Sequence, residues 1–131
     1  MPSAYPFLKS PEESNVESTE DILNHHLECF DKGDLDGLLS DYTEVSVLEL
    51  PHTQLRGLEK LRKAFTAMFE EFGKGTSSFE MKRTSIHGDH AYLFWKAQTE
   101  DNDYHIGTDT FHIQDGKILY QTFSAHITPR V

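Results

Sequence analysis

Apolar positions in the first third of the chain recur at helical spacing. Ile22, Leu23, Leu27 and Phe30 fall one, four and three residues apart and line one side of a 3.6-residue helix, with His26 inside the stripe. Ser18-Thr19-Glu20-Asp21 has the spacing of a capping box, so the helix is predicted to start there, and Lys32-Gly33 supplies a cationic last turn and a left-handed stop. His25 and Glu28 fall on the other side, where His25 reads as solvated. Asp34 can cap a second, short helix whose Leu35, Leu38, Leu39 and Tyr42 sit at i, i+3, i+4 and i+7, which points Tyr42 inward. Val45 to Leu50 is β-rich and stops at Pro51, and a loop runs through His52 to Arg56 and ends at Gly57. A third helix, Leu58 to about Phe72, puts Leu58, Leu61, Phe65, Met68 and Phe72 on one stripe and is terminated by Gly73 and Gly75.

From Ser77 onward the period changes to 2. Turn signals at His87-Gly88-Asp89-His90, Glu100 to Asp103 and Asp115-Gly116 separate four antiparallel strands near residues 77–86, 91–99, 104–114 and 118–127. The order helix, helix, strand, helix, four-stranded meander is α+β, and the helices must cover one face of a curved sheet. Residues 1–17 carry Pro2, Pro6 and Pro11 without periodicity and read as a flexible or loosely docked arm, which leaves residues 18–131 as one domain.

Composition narrows the partners. The chain has 131 residues, enough for one compact domain, and its 12 Lys plus Arg against 22 Asp plus Glu give a net charge of −10. That balance leaves no basic footprint for nucleic acid or an anionic membrane. Cys29 alone forms no internal disulfide, and no Cys-x-x-Cys pair is present for zinc or redox work. The first residues lack the basic start and apolar run of a signal peptide, and no apolar run approaches the ~20 residues that span a bilayer, so a soluble cytoplasmic protein is expected.

Several motifs together resemble the nuclear transport factor 2-like superfamily. They are Phe30-Asp31-Lys32-Gly33-Asp34-Leu35, Tyr42 and Pro51 around the first strand, Arg56-Gly57 ahead of the third helix, and Thr108-Asp109-Thr110-Phe111 ahead of Asp115-Gly116-Lys117-Ile118. The closest likeness is to the SnoaL-like and ketosteroid isomerase-like branches. That resemblance implies a cone-shaped, curved mixed or antiparallel sheet wrapped by three N-terminal helices, an apolar pocket between them, and a homodimer. It does not settle a reaction, because the superfamily holds isomerases, cyclases, dehydratases, epoxide hydrolases and proteins without catalysis. Where the isomerases carry a Tyr on the first helix, an Asp before the Pro that ends the first strand, and a protonated Asp on the penultimate strand, this chain has His26, Leu50 and Asp109. Tyr42 matches a Tyr that supports the oxyanion donor, and Phe65 replaces the next Tyr of that network.

The candidate residues follow. His26 on an apolar stripe is either a core imidazole satisfied by Tyr42 or backbone, or a polar group on a pocket wall. Asp109 alternates with Gly107 and Phe111, an arrangement that raises a carboxyl pKa by burial if this face is inward and leaves an ordinary solvated acid if it is outward. His105 shares parity with Asp109 and is expected on the same wall, whereas His112 falls on the opposite, dimer or solvent face. The resemblance turns Gln121, Phe123 and Ala125 toward the pocket. Trp95, with Leu93 and Ala97, is a pocket wall or interface packing. His25, His26 and Cys29, and separately His87 and His90, have metal-like spacing, but they lie on different elements without shared parity, so no metal is expected. No Gly-x-Ser-x-Gly elbow or Gly-rich phosphate loop occurs, and Cys29 reads as a buried inert thiol.

The expectation is a pocket protein for a small hydrophobic molecule. As a cofactor-independent isomerase, cyclase or lyase it would work by proton transfer, with Asp109 as acid or base, His26 as partner and Tyr42 orienting them. Leu50, Phe65, Trp95, His105, Phe111, Gln121 and Phe123 would line the pocket. The alternative is a non-catalytic ligand-binding or dimeric interaction module.

Overall fold

The computed structural model describes residues 11–75 and 77–130. Three helices precede most of the sheet: α1 (Pro11–Lys32), α2 (Leu35–Leu39) and α3 (Leu58–Phe72). The strands are β1 (Val47–Leu50), β2 (Thr53–Arg56), β3 (Ser78–His87), β4 (His90–Gln98), β5 (Asn102–Gln114) and β6 (Lys117–Pro129). They form one curved, unclosed sheet in the order β2-β1-β6-β5-β4-β3, with β1 parallel to β6 and every other pair antiparallel. The expected α+β class and four-stranded meander are present.

Three features differ from the sequence reading in ways that bear on the site. α1 begins at Pro11, not Ser18, so residues 11–17 are helical and only residues 1–10 of the expected arm lie outside the described residues. Proline is tolerated at a first helical position because its φ suits the helix and its missing N–H is unpaired there anyway. The loop after Pro51 contains β2, which pairs with β1 from Val47↔Arg56 to Leu50↔Thr53; its side chains are mostly exposed, so it carries no alternation to read. The third is a bulge in β5 between Tyr104 and Ile106. One extra residue there resets the two-residue alternation, so Tyr104 and Gly107 are both buried while His105 is exposed.

The core lies between the helices and the concave side of the sheet. Leu23 and Cys29 of α1, Leu38 and Leu39 of α2, and Leu61 and Phe65 of α3 are buried against Leu93, Trp95, Phe111, Ile113 and Ile118. Asp34 caps α2, accepting from the Gly37 backbone N–H at 2.9 Å. The segment after α2 is stitched to the start of β6: Ile118 N–H donates to the Asp41 carbonyl at 2.7 Å, and Lys117 Nζ donates to the Ser40 carbonyl at 2.7 Å. This seam holds Tyr42 beside Gln121.

Candidate active site

His26 sits in mid-α1 and is 5% exposed. Its ring packs edge-on against Phe111, with centroids 5.3 Å apart, and against Phe65 at 6.2 Å. Burial, reinforced by the neighbouring His25, lowers its pKa from 6.5 to about 4, so the imidazole is neutral in neutral solution. Tyr42 Oη lies 3.4 Å from His26 Nδ1 and donates to Gln121 Oε1. Burial, followed by the charges of Asp109 and Asp41, holds the Tyr42 phenol well above its ordinary range.

Asp109 comes from β5, is 8% exposed, and receives one hydrogen bond on each oxygen. Trp95 Nε1 donates to Oδ1 at 2.8 Å and Gln121 Nε2 donates to Oδ2 at 2.9 Å. Burial raises the carboxyl from 3.8 to about 6, and these two hydrogen bonds oppose the rise. The Trp95 donor reaches Asp109 because Trp95 pairs across the strands with Gly107: a Cβ there would stand 2.4 Å from indole carbons. The indole therefore lies over bare backbone, between Phe79 on one side and Phe123 on the other, at 5.3 and 6.1 Å.

These contacts form one directed chain. An ionised Asp109 fixes the Gln121 amide with its N–H toward the acid and its carbonyl toward Tyr42. Tyr42 must spend its proton on that carbonyl, so its oxygen can only accept from His26, and His26 carries its proton on Nδ1. Nε2 is left as an unprotonated acceptor. His26 and Asp109 line the same small cavity of about 50 Å³, whose other walls are Leu27, Phe30, Met68, Phe72, Phe79, Leu93 and Trp95. Leu27, Phe30, Phe72 and Phe79 also line a wider groove of about 800 Å³ that opens between the C-terminal ends of α1 and α3 and the start of β3.

The remaining expected residues are distributed around this centre. Phe65 and Phe111 buttress His26 from the core, and Tyr42 and Gln121 stand behind the cavity wall. Phe123 is half-buried and packs on Trp95. Of the residues expected on the wall, Trp95 lines this cavity; Phe65, Phe111, Gln121 and Phe123 lie outside its lining, and so do two whose surroundings differ from the sequence reading. His105 does not share the wall with Asp109: the β5 bulge turns it outward, where its Nε2 lies 2.9 Å from Thr128 Oγ1 and its ring packs on His126. Leu50 is half-buried at the end of β1 and packs on the core, away from the cavity, because β1 lies beyond β6 in the sheet.

Two features escaped sequence reasoning. The Trp95 hydrogen bond to Asp109 is diagonal across paired strands, and the signal for it is a glycine two residues before the acid. His25 is not simply solvated: its Nδ1 lies 2.5 Å from Asp41 Oδ2 while its Nε2 lies 3.4 Å from Cys29 Sγ. This has the order of a nucleophile, base and acid, but burial first, and the carboxylates of Asp34, Asp41 and Glu28 after it, push the thiol pKa up, opposite to what a nucleophile needs.

A six-stranded curved, unclosed sheet wrapped by three helices is the fold of a nuclear transport factor 2-like protein. The chain belongs to the SnoaL-like domain family, which matches residues 23–121. Its structure is similar to that of an NTF2-like protein of unknown function from Mesorhizobium loti, with a TM-score of 0.73 and 20% identity over 86% of this chain and 93% of that one. It is also similar to a "putative ketosteroid isomerase" from Kribbella flavida, with a TM-score of 0.71 and 14% identity over 89% and 84% of the two chains. A "putative polyketide cyclase" from Sinorhizobium meliloti has a TM-score of 0.66 and 19% identity over 82% and 98%. These identities establish a shared fold. Among curated proteins, none matches the chain significantly. No helix among the described residues is long and apolar enough to cross a membrane.

Proposed function

We propose that the chain is a cofactor-independent proton-transfer enzyme of the isomerase, cyclase or lyase type, acting on a small hydrophobic organic molecule. The carrying observation is that a buried carboxylate with its pKa raised to about 6 and a buried neutral imidazole line one apolar cavity. A general base works best when its pKa approaches the working pH. Asp109 is thus the base that removes a proton from a carbon acid, and Trp95 and Gln121 hold its carboxylate in place. His26 Nε2, the second acceptor, orients a substrate hydroxyl or takes a proton in turn, and Tyr42 fixes its tautomer. The apolar body of the substrate occupies the groove lined by Phe30, Phe72 and Phe79. Exposed apolar side chains outside the cavity, Ile106, Tyr120 and Ile127, support a homodimer.

Hydrogen–deuterium exchange tests the chemistry without a known product. The purified protein is incubated in D2O with a panel of enolisable hydrophobic ketones, and α-deuteration is followed by NMR. Wild type should exceed buffer for at least one ketone, and Asp109→Asn should return that rate to the buffer value with an unchanged circular dichroism spectrum. Exchange that survives Asp109→Asn, or a wild type equal to buffer across the panel, overturns the assignment. The second reading, a ligand-binding module without chemistry, draws on the small inner volume of about 50 Å³, which leaves most of a ligand in the outer groove.

A further inference from the structure

The sheet face opposite the cavity carries a second constellation. His87 pairs with His90, and His90 pairs with His112, so three imidazoles stand in one row across β3, β4 and β5. Directly paired residues on neighbouring strands share a face. The two-residue turn Gly88-Asp89 that joins β3 to β4 sets this register and delivers Asp89 beside the row. The turn is anchored by the Ile113 N–H, which donates to the Asp89 carbonyl at 2.8 Å.

Asp89 addresses both neighbouring imidazoles. Its Oδ1 lies 2.7 Å from His90 Nδ1 and its Oδ2 lies 3.1 Å from His112 Nε2. The two rings are nearly parallel, 4.9 Å between centroids and 11° between planes. One donor atom from each of the three residues lies within 4.8 Å of the other two. A tetrahedral ion with bonds of about 2.0–2.2 Å separates its donors by ~3.4 Å, so small ring rotations bring this set to bonding geometry. His90 and His112 have room to rotate, with side chains 65% and 35% exposed.

We propose that Asp89, His90 and His112 form a binding site for a divalent transition metal of the zinc type, independent of the Asp109 cavity. Two imidazole nitrogens and one carboxylate oxygen suit zinc, cobalt or nickel, whereas magnesium and calcium require mostly oxygen ligands. Three protein ligands leave a coordination position for water or another ligand, and His90 and His112 also line a surface groove of about 500 Å³ with His87, Tyr92 and Tyr120. Among the described residues, no other three His, Cys, Asp or Glu side chains bring one donor atom each within 4.8 Å of one another.

The test is isothermal titration of the chelator-stripped full chain with zinc chloride, with cobalt absorption spectra as a second probe. Wild type should bind one zinc per chain. His90→Ala and His112→Ala should each weaken binding at least tenfold, and Cys29→Ser should leave it unchanged. Zinc-induced shifts of the histidine ring resonances in the wild-type protein give a readout that needs no variant, and they should centre on His90 and His112. The proposal fails if wild type binds no zinc stoichiometrically, if the His90→Ala/His112→Ala double variant binds as wild type does, or if the shifts centre on His25.

Discussion

The two buried ionisable groups should impose opposite pH dependences on stability. In the unfolded chain His26 titrates near 6.5, but in the fold near 4, so between those values the unfolded state binds a proton that the folded state refuses. Stability therefore falls as the pH drops through that window. A gap of about 2.5 pH units, at about 1.4 kcal/mol per unit, makes this about 3 kcal/mol. Asp109 acts in reverse. Its folded value of about 6 lies above the ordinary 3.8, so the folded state holds the proton more tightly and stability falls as the pH rises from about 4 to 6. That loss is also about 3 kcal/mol. In the wild type the two slopes nearly cancel, and the variants separate them. Relative to wild type, His26→Asn should gain about 3 kcal/mol between pH 7 and pH 4, whereas Asp109→Asn should lose a similar amount over the same interval. Urea unfolding followed by circular dichroism at half-unit pH steps measures both differences. A constant offset between each variant and wild type across the range would refute the idea that burial shifts either group.

Gly107→Ala should destabilise by ~1–3 kcal/mol, because the added Cβ meets indole carbons 2.4 Å away, and Phe72, Phe79 and Phe123 hem in the Trp95 ring. Gly75→Ala, which adds a Cβ into open space, is the control, and equal melting temperatures for the two would sink the packing argument. Tyr42→Phe removes the hydroxyl between His26 and Gln121 and strands a buried donor and acceptor, a loss of ~1–3 kcal/mol in urea unfolding. With Gln121 released, the Asp109 carboxyl should titrate above about 6, as carbon-13 NMR of the side chain would read.

Long, strongly periodic segments were legible from residues alone. α3 runs from Leu58 to Phe72 as its apolar stripe and glycine stop require, and the meander follows its period of 2 and its turns. What escaped depends on register and not on pattern. β2 is a short strand with an exposed face, so it leaves no hydrophobic trace. Parity counting put His105 on the same face as Asp109 by assuming an unbroken strand, and a single bulged residue reversed the answer. Likewise His90 and His112, assigned to separate elements, meet because the turn at Gly88-Asp89 and the pairing of β4 with β5 align them. His26 and Asp109 stood out because an ionisable group among apolar neighbours is visible in one dimension. The hydrogen bonds that join them are not.

Those hydrogen bonds give the core its directionality. Tyr42 and Gln121 carry no charge at neutral pH, yet each can satisfy its two neighbours in one orientation only while Asp109 is ionised. The protonation state of an acid on β5 therefore dictates which nitrogen of a histidine on α1 carries a proton, through a phenol and an amide that come from two further segments. Replacing the four side chains with apolar residues would remove the burial cost of a carboxylate and an imidazole, and it would also strip this cavity of its acid and its imidazole. A fold of this size that keeps an acid with a pKa of about 6 beside buried rings has an arrangement that packing alone does not require, and that acid lines a cavity together with the buried imidazole.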